Sequence, residues 1–109
     1  MQSDILQGTL DLLVLKTLDS MGSMHGWAIA KRIEQVSEDA LYVNQGTLYP
    51  ALLRLENSGW IRSKWGMTEN KRKARYYSVT QSGRKRMRRE TDNWKQMSEI
   101  INRVLDGAF

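Results

Sequence analysis

From Thr80 to the end of the chain, side chains fit for burial recur every third or fourth residue. They are Met87, Thr91, Trp94, Met97 or Ser98, Ile101, Val104 or Leu105, and Ala108. That spacing marks one face of an α-helix. With Thr80 as its N-cap, the pattern predicts a last helix of roughly 27 residues, about 40 Å long at 1.5 Å per residue. A small preceding body cannot cover a stripe of that length, so the helix requires a partner helix. A second copy of the chain supplies one, because across a two-fold axis the same patch meets itself. Met87, Thr91, Trp94, Ile101, Val104 and Leu105 are therefore the expected dimer interface. The run "RKRMRR" from Arg84 to Arg89 sets Arg84 and Arg88 at i, i+4, a like-charge pair that reads as a solvated face.

Ahead of this helix the chain reads as helices followed by a hairpin, with no linker and no repeat. Ile5 to about Ser20 carries Leu6, Leu10, Leu13, Val14 and Leu18 at helical spacing, and "MGSM" ends the run. Ser23 can cap a second helix reaching about Ser37, whose inner face is Ile29, Ile33, Val36 and either Trp27 or Ala30. "EDALYV" then leads to a third helix. A bare helix-turn-helix uses a turn of three or four residues, so this longer connection points to a winged variant. After Gly59, "WIRSKW" and "ARYYSV" read as two strands around the charged tip "GMTENKRKA". Trp65, Tyr76 and Tyr77 are expected as core and sheet residues. The fold class expected is mainly α with a small β-hairpin: a winged helix-turn-helix followed by a long C-terminal helix.

The third helix, in "NQGTLYPALLRLENSGWI" from Asn44 to Ile61, is poorly made at its front. Leu48, Leu52 and Leu55 form a buried stripe and Gly59 closes it. Gly46 and Pro50 fall in or near its first two turns, where glycine costs about 1 kcal/mol and proline about 3 relative to alanine. Either the helix begins late, at Tyr49, with Pro50 in the tolerated first position, or its amino end is shaped to meet something. The second reading has a chemical logic. Glycine lets backbones approach closely, and a helix start favours phosphate. The side opposite the leucines is small and polar at first and basic further on. Asn44, Gln45, Thr47, Tyr49, Pro50 and Arg54 are the candidate DNA contacts of this helix.

Charge supports that partner. Seventeen Lys and Arg against twelve Asp and Glu leave a net charge of +5, the balance of a chain that meets an anionic polymer. The wing segment is denser still: Lys64, Lys71, Arg72, Lys73 and Arg75 face a single acid, Glu69. These cations would neutralise phosphates or enter a minor groove. With no cysteine and a single histidine, thiolate chemistry, disulfides and a metal or cofactor site are not expected. No Gly-rich phosphate loop or nucleophile elbow points to an enzyme. The longest apolar run, Leu10 to Leu18, is too short to span a bilayer and the start does not resemble a signal peptide, so the expected location is cytoplasmic.

"GTLYPALLRLENSGWI", a basic hairpin, "RYYSVT" and then "TQSG" opening a long helix resemble the PadR family of winged-helix transcriptional regulators. "HGWAIAKRI" from His25 to Ile33 fits as well, with Trp27 where the family usually has tyrosine. The resemblance implies a winged-helix DNA-binding domain over residues 1–80 and a C-terminal dimerisation helix over 81–109, as in the short branch of the family. It implies a homodimer that represses transcription from a two-fold operator in double-stranded DNA. It also implies a small-molecule site. In multidrug-sensing members a tryptophan matching Trp94 lines a pore between subunits and stacks on flat, apolar, often cationic compounds, and Leu12, Lys16 and Met87 match other positions around it. Lys16 departs from that pattern, since a cation disfavours cationic ligands. The rival readings are a constitutive, architectural DNA-binding protein and a winged helix that binds only protein.

Overall fold

The structure is a computed structural model and describes residues 3–4 and 7–107. Ile5, Leu6 and Ala108, which the periodicity assigns to the first and last helices, lie outside the described residues. In chain order come β1 (Ser3–Asp4), α1 (Gln7–Met21), β2 (Met24–His25), α2 (Gly26–Val36), β3 (Leu41–Tyr42), α3 (Gln45–Asn57), β4 (Ile61–Met67), β5 (Lys73–Val79) and α4 (Gln81–Leu105). This is a winged helix-turn-helix with a long C-terminal helix, as the sequence predicts.

The core forms where three helical stripes and the root of the wing converge. Leu10, Val14, Leu15 and Leu18 of α1 meet Ile29, Ala30 and Ile33 of α2, Leu48, Ala51, Leu52 and Leu55 of α3, and Ile61, Tyr77 and Val79 of the hairpin. Burial pushes the Tyr77 phenol above its ordinary pKa. In α2 the alternative Ala30 is the inward residue. Trp27, the other alternative, is exposed at 58%, and Val36, expected on the inner face, is exposed at 68%. The reason is angular: Ile29, Ala30 and Ile33 already fill the face turned to α1 and α3, and Trp27 and Val36 flank that stripe rather than extend it.

The sheet has one strand more than a hairpin. β4 and β5 pair antiparallel from Ile61↔Val79 to Met67↔Lys73, and β2 adds to the other edge of β5 through Met24↔Tyr77 and His25↔Tyr76. Because Met24 and His25 are spent on this strand, α2 starts later than Ser23 would allow. His25 is its N-cap, and His25 Nδ1 accepts from the Ala28 backbone N–H at 3.4 Å. A second, two-residue parallel pairing joins β1 to β3, inside the connection read from sequence only as a spacer. Glu38 and Asp39, with φ of 54° and 61°, turn the chain there.

Glu34 ties this connection to α2. Its carboxylate accepts from the Val43 backbone N–H at 3.1 Å and from Lys31 at 3.3 Å. The Val43 bond, aided by Lys31 and opposed by partial burial, holds the carboxyl below its ordinary pKa of 4.5. A lowered folded-state pKa stabilises the fold above the ordinary value, and that contribution is lost as pH falls through the lowered one. Glu34→Gln is therefore expected to lower stability by about 1 kcal/mol near neutral pH, allowing for a partly solvated carboxylate. Urea denaturation of both proteins should show the difference shrinking as pH is taken below 4.5.

α4 is docked only by its first turns. Thr80 caps it, its Oγ1 accepting from Gly83 N–H at 3.0 Å and donating to the Gly59 carbonyl at 2.7 Å. Gly83 and Met87 are its only buried residues among those described. Arg84 pairs with Asp19 of α1 at 2.9 Å, and the Arg86 guanidinium lies 4.7 Å from the centre of the Trp60 ring. Beyond Thr91 the helix leaves the body, and the molecule is 58 Å along its longest axis against 33 and 21 Å across.

Candidate nucleic-acid interface

α3 begins at Gln45, not at Tyr49. Asn44 is its N-cap in extended conformation, and its Oδ1 accepts from the Gly46 N–H at 2.6 Å. Pro50 thus sits inside the helix. Residue 50 has no N–H, so the carbonyl of Gly46, four residues earlier, loses its helical donor. That carbonyl stands on a residue exposed to solvent. The Thr47 N–H already leans on the Asn44 carbonyl at 3.1 Å. The amino end therefore presents side chains, and a carbonyl without its i+4 donor, more than free amides.

Tyr49 is half exposed and rests on the start of α2: a β-carbon at Gly26 would lie 3.1 Å from its ring and its hydroxyl. A side chain there would press on the Tyr49 ring and make it give by a few tenths of an ångström. Gln45 and Pro50 are exposed and Thr47 is partly buried. Arg54 is placed differently from the other candidates. Its guanidinium is held by Asp11 of α1 at 2.9 Å, which spends the charge on bracing α3 against α1. Sequence spacing put it on the outer face; the facing carboxylate, 43 residues away, has no local signal.

The wing carries Lys64, Lys71, Arg72, Lys73 and Arg75, all exposed. The strands run further toward the tip than expected, so Lys73 joins Arg75 as a strand residue. At the tip the Thr68 N–H donates to the Arg72 carbonyl and the Lys71 N–H to the Thr68 carbonyl, both at 2.9 Å, with Lys71 at φ 59°. Trp65, expected in the core, is 67% exposed, because β4 has by then run past the body of the domain. It sits opposite Arg75, whose guanidinium is 5.4 Å from its ring centre. On the other face Tyr76 lies over Gly66, where a β-carbon would come within 2.7 Å of the ring, and its hydroxyl donates to the Met67 carbonyl at 3.1 Å.

Between the wing, Tyr49 and the start of α2 lies an open groove of about 1040 Å³. Trp27 and Trp65 line it together with Arg72 and Arg75. His25 meets Tyr76 edge-on at 5.4 Å between ring centres, and Lys31 stands 5.7 Å over Trp27. Neither His25 nor Trp27 carries a sequence signal that marks it as a site residue. They reach the groove through the β2–β5 pairing, which two residues of sequence do not announce.

An exposed α3 face beside a cationic hairpin is the surface by which a winged helix meets a duplex. The profile of the transcriptional regulator PadR-like family matches residues 14–89. The chain belongs to the PadR-like family. It is a DNA-binding transcriptional regulator and not an enzyme. It is similar to a transcriptional regulator from Clostridium thermocellum, with 30% identity and a TM-score of 0.80 over 89% of this chain and 90% of that one. A PadR family regulator from Eggerthella lenta has 28% identity and a TM-score of 0.77 over 93% and 85% of the two chains. A protein of Lysinibacillus sphaericus is 26% identical over 97% of this chain and 96% of its own length. Among the described residues no cluster could hold a metal ion and no helix is long and apolar enough to cross a membrane.

The residues assigned to dimerisation and ligand sensing divide in two. Met87 is 7% exposed and part of the protomer's own core, and Thr91 is half-buried with its hydroxyl on the Met87 carbonyl at 2.7 Å. Trp94, Ile101, Val104 and Leu105 are open, at 57%, 48%, 51% and 75%. The exposed stripe therefore starts at Trp94. Leu12 and Lys16 share one stripe of α1 with Asp19, the residue that takes Arg84, so that stripe adjoins α4. Leu12 is partly buried and Lys16 exposed.

Proposed function

We propose that the protein is a homodimeric repressor in the cytoplasm. Residues 1–80 grip double-stranded DNA and residues 81–109 join the protomers. α3 enters the major groove with Gln45, Thr47, Tyr49 and Pro50, while the wing lies along the backbone with Lys64, Lys71, Arg72, Lys73 and Arg75. Arg54 supports α3 through Asp11 instead of touching DNA. The observation that carries this reading is the exposure of five cations on the wing, three of which, Arg72, Lys73 and Arg75, line one groove with Tyr49 of α3. A flat aromatic effector bound at Trp94, with Leu12, Lys16 and Met87 nearby, would release the operator by favouring another spacing of the two subunits.

The wing is tested by its salt dependence. Each phosphate neutralised contributes about 0.9 to the slope of log affinity against log salt. Changing Lys71, Arg72 and Lys73 together to alanine, in both subunits of the dimer, should flatten the slope by as much as about five while leaving sequence preference in place. Fluorescence anisotropy on a labelled duplex at a series of salt concentrations measures it. An unchanged slope would take the wing out of the contact.

A further inference from the structure

The outer face of α3 is short of free charge. Its single cation, Arg54, is bound by Asp11 at 2.9 Å, and its single acid, Glu56, accepts from Ser63 Oγ at 2.6 Å. What faces outward is neutral and largely apolar. Tyr49 and Leu53 are 49% and 59% exposed, Pro50 lies between them, and Gln45 and Asn57 stand at the two ends. Pro50 and Leu53 are three residues apart and adjacent on the helix surface, so a pyrrolidine ring and an isobutyl group make one ridge. Leu53 plays no part in the core, which Leu48, Ala51, Leu52 and Leu55 fill.

A helix in the major groove with no free cation cannot take guanine by the bidentate arginine or lysine contact. An apolar ridge there has one complementary feature on the base edges, the 5-methyl group of thymine. Gln45, at the first helical position, has the paired donor and acceptor that match adenine N6 and N7. We propose that Pro50 and Leu53 read thymine methyl groups, so that the base pairs beneath α3 in each half-site are A·T. The inference rests on the reading that α3 enters the major groove. It makes Leu53 a specificity-determining residue, while the wing supplies affinity without sequence.

The test starts from the full-length protein and a pool of duplexes with a random central segment, enriched by several rounds of binding. The enriched duplex should carry A·T pairs at the positions under α3. Remade with uracil in place of thymine it should bind about four-fold more weakly for each methyl in contact, the ratio expected for burying one methyl group. Leu53→Ala, at an exposed site, should keep its circular dichroism, its thermal midpoint and its salt slope, yet lose the distinction between thymine and uracil at one position. The two losses should not add, because they remove two sides of one contact. G·C pairs under α3, or equal binding of the thymine and uracil duplexes by the wild type, overturn the inference while salt-dependent DNA binding stands. Unselective binding with a steep salt slope also overturns it and leaves the wing contact intact. A ridge that binds protein instead would show as no DNA binding at any salt, and then the groove reading falls with it.

Discussion

Gly83→Ala is expected to be the most damaging small change in the chain. In an ordinary helix position glycine to alanine stabilises by up to about 1 kcal/mol, so a loss here reverses the usual sign. The cause is local and steric. A β-carbon at residue 83 would be driven into the Trp60 backbone carbonyl and crowd the Val79 side chain at 2.9 Å. The Trp60 carbonyl cannot move away cheaply, because it accepts from the Thr80 N–H at 3.0 Å and so fixes the corner from which α4 departs. Relief requires either that α4 lift off the body, exposing Met87, or that the Thr80 cap break. Overpacking of this kind costs about 1 to 3 kcal/mol and more where backbone is the obstacle. A fall in Tm of more than about 10 °C is expected by calorimetry. Ser82→Ala, one residue earlier and exposed, is the control and should leave Tm nearly unchanged. A Gly83→Ala protein as stable as the wild type would mean that α4 is not seated on Trp60.

That glycine also illustrates what the sequence makes readable. "TQSG" after a strand is a weak motif, shared among winged-helix regulators, and nothing in the four letters says which group the glycine must avoid. Trp60, more than twenty residues away, decides it. The same division runs through the chain. Stripes of Leu48, Leu52 and Leu55 or of Leu10, Val14 and Leu18 are legible because burial repeats with the helical period. The late start of α2, the exposed positions of Trp27 and Trp65 and the capture of Arg54 by Asp11 are not, because each depends on a partner that only the tertiary fold delivers. Large aromatic side chains mislead most: Trp65 reads as core by its size, and it stands in the open because the wing outruns the domain. Leu53 failed the opposite way. It lies beside a leucine stripe and reads as one more core leucine, although its exposure is what gives α3 an apolar outer ridge.

The second large effect is expected on α4. Ile101→Glu with Val104→Glu should leave each protomer folded, since both side chains are about half exposed at 48% and 51% and neither belongs to the core. In a two-fold pairing of α4 helices the same changes bring four carboxylates into one apolar seam, where unpaired charge is strongly unfavourable. Sedimentation should then find monomers. A monomer engages one half-site instead of two, so affinity for the enriched duplex should fall by about 100-fold or more, the usual contribution of a linked second site. Circular dichroism should stay unchanged. A double variant that remains dimeric would place the interface elsewhere. Trp94→Ala separates sensing from assembly at the same helix. At 57% exposure it heads the open stripe, one turn beyond Thr91, where α4 leaves the body. If the two α4 helices set the spacing of the recognition helices against major grooves about 34 Å apart, a planar compound wedged at Trp94 lowers DNA affinity only as far as it prefers the spacing DNA disfavours. The expected result is that planar aromatic dyes quench wild-type fluorescence and weaken its DNA binding, while Trp94→Ala stays dimeric and loses most of both effects. Trp27, Trp60 and Trp65 also emit, so the comparison is between the two proteins and not against free dye. Monomers from Trp94→Ala, with no quenching of the wild type by any dye in a broad panel, would make the residue part of the seam and end the sensing proposal, with dimerisation and DNA binding left standing.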